Sequence, residues 1–298
     1  MIVLPPLPLD APGIYTLPDD LYHADPVAAG SLSSTEARRL LDSPARYRWH
    51  RTNPEEPKDH FDIGHAAHRL VLGVGATIVE VVADDWRTNA AKAQRAEARA
   101  AGHVPLLTKD VELVGAMAAA LLEHPIARRL LDPEHGLPEQ AVIWQDDRHS
   151  DVWRRAKVDW LPEPPKTGRL IVSDYKTCRN ASAAAFGRAA AAFGYPEQHA
   201  WYDDGIRAVL PNVDSAFVFI AQETTPPYLV NVLELDAVAV NIGRERNRRA
   251  IDIYRRCRDS DEWPGYGPDV EPVSLPRWYE LRHEDELAAD NPDDHAPW

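Results

Sequence analysis

Residues 155–176, RAKVDWLPEPPKTGRLIVSDYK, hold two strand-like apolar runs joined by a Pro- and Gly-containing turn. This arrangement constrains the fold more than any other part of the chain. Each run presents an acid at its far end, Asp159 from the first and Asp174 from the second, and Lys176 follows two residues later. Side chains alternate along a strand, so Asp174 and Lys176 share one face and Tyr175 takes the other. Two carboxylates from neighbouring strands, with a lysine beside them, can hold a divalent cation and offset the charge of a phosphate under attack. An isolated D-x-K is equally a strand-end salt bridge. The weight rests on Asp159, the turn, the apolar run and Asp174-Tyr175-Lys176 occurring together. Lysine is also scarce here, with six in the whole chain, so one placed in an acidic strand pair needs a reason.

The rest of the composition bounds the answer. A chain of 298 residues with 44% apolar residues can bury a substantial core, and no long uncharged run suggests a membrane span. The start, MIVLPPLPLDAPG, lacks the basic opening and cleavage site of a signal peptide, so it reads as mature protein. Cys178 and Cys257 are the only cysteines, which excludes a disulfide framework and fits a reducing cytoplasm. The net charge of −14 argues against a nonspecific nucleic-acid binder, but the charge is uneven. Residues 244–258 (RERNRRAIDIYRRCR) are strongly basic, and the tail after residue 280 is acidic.

Along the chain, residues 1–30 are Pro-rich and read as an extended surface arm. Ser33-Ser34-Thr35-Glu36 has the spacing of a capping box, predicting a helix over 37–41. Basic and aromatic residues interleave at 46–49, and 53–60 is a polar loop. Helices are predicted over 61–72, 85–101 and 108–123, the last stopped by Pro125, with a strand over 77–82. Strands follow at 139–145, 152–161 and 170–174, the first two as a hairpin. Helices over 181–193 and 196–209, strands over 216–221 and 228–235, and a long helix over 236–258 complete one α/β domain with a mixed sheet, spanning 1–298.

Strand 152–160 places Val152, Arg154, Ala156 and Val158 on one face and Trp153, Arg155, Lys157 and Asp159 on the other. Arg155 and Lys157 thus stand beside the acidic site, where a phosphodiester backbone would find cations. By periodicity alone the same strand is as readily a solvated edge of alternating charge. His68, four residues after Gly64 on a predicted helix, is a candidate metal ligand, with His65 as a competing one. Gln198 and Tyr202 share a helix face and can line a cleft. Glu139 is either a further carboxylate at the site or an exposed strand end.

Taken in order, these motifs resemble the PD-(D/E)xK nuclease superfamily in its RecB-like branch, and more narrowly the C-terminal nuclease domain of the RecE exonuclease of phages and prophages. The resemblance rests on Tyr22-His23, Ser31-Leu32-Ser33, Ser43-Pro44-Ala45-Arg46-Tyr47, Gly64-x-x-x-His68, Glu139, Arg155-x-Lys157-x-Asp159, Asp174-Tyr175-Lys176-Thr177 and Gln198-x-x-x-Tyr202. It implies a restriction-endonuclease-like core, with a central mixed sheet flanked by helices. It implies Mg²⁺, with Mn²⁺ as the alternative, on His68, Asp159, Asp174 and the carbonyl of Tyr175. Lys176 would be the catalytic lysine, and Gln198 and Tyr202 would line the site. The implied activity is ATP-independent 5′ to 3′ degradation of linear double-stranded DNA. It leaves a 3′ single strand for a RecT-like annealing partner, in a homo-oligomer such as a ring-shaped tetramer in the bacterial host cytoplasm. Two cysteines cannot supply an iron–sulfur cluster, and no Walker motif is present. An endonuclease, a nuclease subunit working beside a separate helicase, and a catalytically silent DNA-end-binding protein are the competing readings.

Overall fold

A computed structural model describes residues 7–53, 62–165 and 167–290, without the side chains of Asp62, His65 and Asp290. The chain forms two compact units, residues 1–263 and 264–298. Within the described part of the second, one helix, Arg277–Asp290, follows a segment without regular secondary structure.

In chain order the first unit opens with β1 (Gly13–Thr16), α1 (Asp19–His23), β2 (Ser31–Ser33), α2 (Ser34–Asp42), α3 (Pro44–Thr52) and α4 (Asp62–Leu72). It continues with β3 (Ile78–Val81), α5 (Asn89–Ala100), β4 (Val104–Leu107), α6 (Thr108–Glu123), α7 (Pro125–Leu130), β5 (Gly136–Gln145), β6 (Trp153–Pro162) and β7 (Leu170–Cys178). It closes with α8 (Ala183–Phe193), α9 (Tyr195–Val209), β8 (Ser215–Glu223), β9 (Val230–Leu233) and α10 (Ala237–Ser260). The main sheet runs β1-β5-β6-β7-β8-β9, with β2 pairing in parallel with β6; β3 and β4 form a separate parallel pair. Strands β5, β6 and β7 meander antiparallel, whereas β7 and β8 are parallel, joined by the α8–α9 crossover.

Each face of the sheet is buried. On one, Val142, Trp144, Val158, Val172 and Phe219 pack against Leu40, Phe186, Trp201 and Ile251 from the helices α2, α8, α9 and α10. On the other, Trp160, Tyr175 and Ile220 pack against Ala66, Ala67, Met117 and Leu121 from α4 and α6. Strand β6 therefore lies inside the sheet, covered on both sides, and the solvated-edge reading of it is excluded.

Local signals account for the helix boundaries. Ser33 and Glu36 form the reciprocal capping box at the start of α2, with Glu36 Oε2 accepting from Ser33 N at 2.8 Å. Asp236 caps α10 by accepting from Ala239 N at 2.8 Å. Pro125 ends α6 as expected, and it then occupies the first turn of α7, where its missing N–H costs nothing, while His124 Nδ1 accepts from Ala127 N. The expected arm over residues 1–30 is more ordered than its prolines suggest. Gly13–Thr16 joins the sheet beside β5, and Leu9, Leu17, Tyr22 and Val27 bury themselves against Ala141 and Ile143. The polar loop expected at 53–60 lies, beyond residue 53, outside the described residues, as do residues 291–298 of the acidic tail.

The basic run 244–258 lies on α10, and much of it is consumed internally. Arg244 pairs with Asp203 and Asp204, Arg246 with Glu197, and Arg255 and Arg258 with Asp151. Helix α10 seats on α9 through Gly243 and the buried Asn247, whose Nδ2 donates to the carbonyl of Glu197 at 2.9 Å. A Cβ at Gly243 would stand 2.0 Å from the carbonyl oxygen of Pro196, a backbone atom with little freedom to yield. Gly243→Ala is therefore expected to lower stability by about 2 kcal/mol or more in a denaturant melt. Gly115→Ala in α6 has nothing within 4 Å and should be neutral or stabilising. Equal effects of the two substitutions would refute this account of the seat. Among the described residues no helix is long and apolar enough to cross a membrane.

Candidate active site

Three neighbouring strands line up three carboxylates. In the antiparallel pairing of β5 with β6, Pro138 faces Trp160 and Gln140 faces Val158, which leaves Glu139 opposite Asp159. In the pairing of β6 with β7, Trp160 faces Ser173, so Asp174 is the next residue across from Asp159. A row Glu139–Asp159–Asp174 thus crosses the sheet. Glu139 has φ +55°, a left-handed backbone inside a strand that costs a non-glycine residue about 1–2 kcal/mol. Strain of this kind concentrates at functional positions.

The side chain of Asp174 is 1% exposed. Its Oδ1 accepts from Gln198 Nε2 at 2.6 Å, and its buried Oδ2 lacks a well-angled hydrogen bond, facing Lys176 Nζ as an ion pair at 2.6 Å. Burial alone would depress the Lys176 ammonium, but Asp174 and Asp159 outweigh it and hold the pKa above the ordinary value. The lysine is a permanent cation there. Asp159 Oδ2 accepts from Tyr175 N at 2.8 Å, yet burial first, and the Asp174 charge second, push the Asp159 carboxyl well above the usual carboxylate range.

Tyr175 splits its functions, as the strand alternation predicts. Its ring enters the core on the far face, where its hydroxyl donates to Gln222 Oε1 at 2.6 Å. Its carbonyl accepts from His68 Nε2 at 2.9 Å. That bond puts the proton on Nε2 and leaves the lone pair on Nδ1, 3.9 Å from Asp159 Oδ2. Burial and the nearby Lys176 lower the His68 pKa, so the imidazole is neutral, the form that binds metals. Potential ligand atoms of His68, Glu139 and Asp159 lie within 4.8 Å of one another.

The donor set fits a divalent cation. It offers a neutral imidazole, clustered carboxylates with one pushed toward its protonated form by burial and the Asp174 charge, and a buried Asp174 oxygen that faces Lys176. His68, Asp159, Glu139, Asp174 and the Tyr175 carbonyl are the groups available to hold it. When bound, such an ion supplies a Lewis acid beside a phosphate and lowers the pKa of water. The chain's own contribution is to keep Lys176 charged and to orient Asp174 through Gln198. Tyr202 lies one turn further along α9, and burial above all, with the nearby Tyr22, Asp174 and Asp159, holds its hydroxyl protonated.

The two cations expected to meet DNA are placed differently. Arg155 is 4% exposed and committed inward. Its Nη1 donates to the Ser31 carbonyl at 2.6 Å, and Nη2 pairs with Glu36 at 2.9 Å, so its charge ties β2 and α2 to the sheet instead of facing solvent. Lys157 is 11% exposed and pairs with Glu139 at 2.8 Å and with Asp19. The side chain of His65 lies outside the described residues. Tyr195 was not singled out by the sequence, yet its ring lies 5.4 Å from Lys176 Nζ as a cation–π partner. The Gly-Tyr-Pro junction that starts α9 is the one local sign of it, because Gly194 at φ +69° turns the chain there.

Comparison with known proteins places the chain. Residues 33–275 match the family described as "PDDEXK-like domain of unknown function (DUF3799)". The chain belongs to this family. The PDDEXK-like match contains the whole row from His68 to Tyr202, and the mixed sheet with flanking helices is the fold it calls for. Among solved structures, the chain is similar to a crystal structure of a candidate exonuclease from Eubacterium rectale. The TM-score is 0.55 at 10% identity, over 87% of this chain and 96% of that one, which is a likeness of fold. No curated protein matches the chain.

Proposed function

We propose that this PDDEXK-like chain is a metal-dependent, ATP-independent 5′ to 3′ exonuclease on linear double-stranded DNA. The observation that carries the nuclease part is the row of Glu139, Asp159 and Asp174 with His68 beside Asp159 and a charged Lys176 at Asp174. Phosphodiester hydrolysis needs this combination: a site for a divalent cation beside a cation that answers the charge growing on the phosphate. The fold shared with the Eubacterium rectale candidate exonuclease supports the exonuclease choice, and the RecE-like order of motifs supports the polarity, Mg²⁺ as the metal and a role in recombination through a strand-annealing partner. A cytoplasmic homo-oligomer, such as a ring enclosing DNA, belongs to the same reading and reconciles DNA binding with a net charge of −14.

The test is digestion of linear duplex DNA labelled at either 5′ or 3′ ends, with Mg²⁺ or EDTA, against a closed circle. Early loss of the 5′ label with the circle intact and no reaction in EDTA is expected. Cutting of the circle would replace this reading with an endonuclease, and no cleavage with any divalent metal would leave a DNA-end-binding protein.

A further inference from the structure

Lys157 stands on the same face of β6 as Asp159, two residues before it, and its charge is spent inside the protein. Its Nζ is 2.8 Å from Glu139 Oε2, it pairs with Asp19 of α1, and it lies 5.8 Å from the centre of the Tyr22 ring. Glu139 is the strained member of the carboxylate row, held at φ +55° and itself 28% exposed. A left-handed residue within a strand persists only where its surroundings over-determine it. Gathering Glu139, Asp159 and Asp174 on one face also sets like charges together, and the two lysines answer at opposite ends of the row: Lys176 at Asp174, Lys157 at Glu139.

We propose that Lys157 is a positioning residue for the metal site. It holds the Glu139 carboxylate toward Asp159 and His68, and Asp19 in turn holds Lys157, so that α1 from the N-terminal segment completes the site. This rests on the metal-dependent reading given above. Glu139 Oε2 faces Lys157, and a potential ligand atom of Glu139 lies within 4.8 Å of those of His68 and Asp159; without the ammonium, the partly exposed Glu139 can turn to solvent. Groups that orient a ligand in this way set metal affinity without touching the ion.

The test is calorimetric titration of Mn²⁺ into the full-length chain freed of metal, alongside affinity for a short DNA duplex in EDTA. Lys157→Met is expected to weaken Mn²⁺ binding about tenfold, with Lys157→Arg restoring most of it and duplex affinity in EDTA unchanged. In a Glu139→Gln background, Lys157→Met should cost nothing further, because the lysine acts through that carboxylate. Asp19→Asn, at an exposed position, should give a smaller loss in the same direction and serves if Lys157→Met does not fold. Unchanged Mn²⁺ affinity in Lys157→Met overturns the proposal, as does a full additional loss in the Glu139→Gln background. A fall in duplex affinity in EDTA would make Lys157 a phosphate contact instead. Failure of the unsubstituted chain to bind Mn²⁺ would overturn the metal reading itself and this inference with it.

Discussion

Lys176→Ala is expected to lower the turnover of linear duplex DNA by about 10²–10³-fold while leaving Mn²⁺ affinity equal or higher. The two effects separate because of where Nζ sits. It is 2.6 Å from Asp174 Oδ2 and kept charged by Asp174 and Asp159, so it adds positive charge beside the place where a phosphate would gain negative charge. Removing it takes away transition-state stabilisation and, at the same time, a cation that competes with the metal for the same carboxylates. Single-turnover cleavage at saturating Mg²⁺ measures the first effect, and calorimetry with Mn²⁺ measures the second. If activity and metal affinity fell together, Lys176 would be a structural counter-ion and the catalytic assignment would be lost.

Asp159→Asn is expected to raise stability without metal and to abolish stabilisation by metal. The sign follows from the cause of the shift. Burial and the Asp174 charge raise the Asp159 pKa in the folded chain, so its ionised form is penalised on folding. That penalty is present at neutral pH and is relieved as pH falls through the raised folded pKa. Asparagine carries no charge at any pH, and its Oδ1 can still accept from Tyr175 N. A gain in stability is therefore expected at pH 7, vanishing toward acid. The unsubstituted chain should recover by binding Mg²⁺, by about 2.7 kcal/mol at a hundredfold excess over Kd. Thermal melts from pH 5 to 8, with and without Mg²⁺, decide it. A variant less stable in EDTA, or one still stabilised by Mg²⁺, would contradict the placement of Asp159 as a buried metal ligand.

What could be read before the fold was known divides by the range of the interactions involved. The 108–123 helix, the capping box at Ser33 and Glu36, and the face shared by Asp174 and Lys176 depend on neighbours a few residues away, and the structure shows each of them. Arg155 looked like a DNA contact because alternation fixes which face a side chain takes but not what meets it there. Its partners Ser31 and Glu36 come from more than 100 residues earlier, and β6 is an interior strand. The partners of the basic run on α10 are as remote in sequence, since Asp203, Asp204, Glu197 and Asp151 arrive from other elements. Strands of three or four residues, such as β1, β2 and β4, carry too little periodicity to be recognised against Pro-rich surroundings. No sequence signal marks the left-handed backbone of Glu139.

The parallel pairing of β7 with β8 has a bearing on how the candidate site is assembled. The β5–β6 hairpin is a local pairing that costs little loop-closure entropy. Locking β7 in place also requires β8, which is separated from it by the whole α8–α9 crossover, and His68 reaches the Tyr175 carbonyl across 107 residues of sequence. Contacts of such separation carry the larger loop-closure cost and slow folding as a whole. Glu139, Asp159 and Asp174 come from three consecutive strands, whereas His68 meets them only through the long-range topology. The candidate site is thus divided by contact range, its carboxylates coming from three consecutive strands and its imidazole from a helix 107 residues away in sequence.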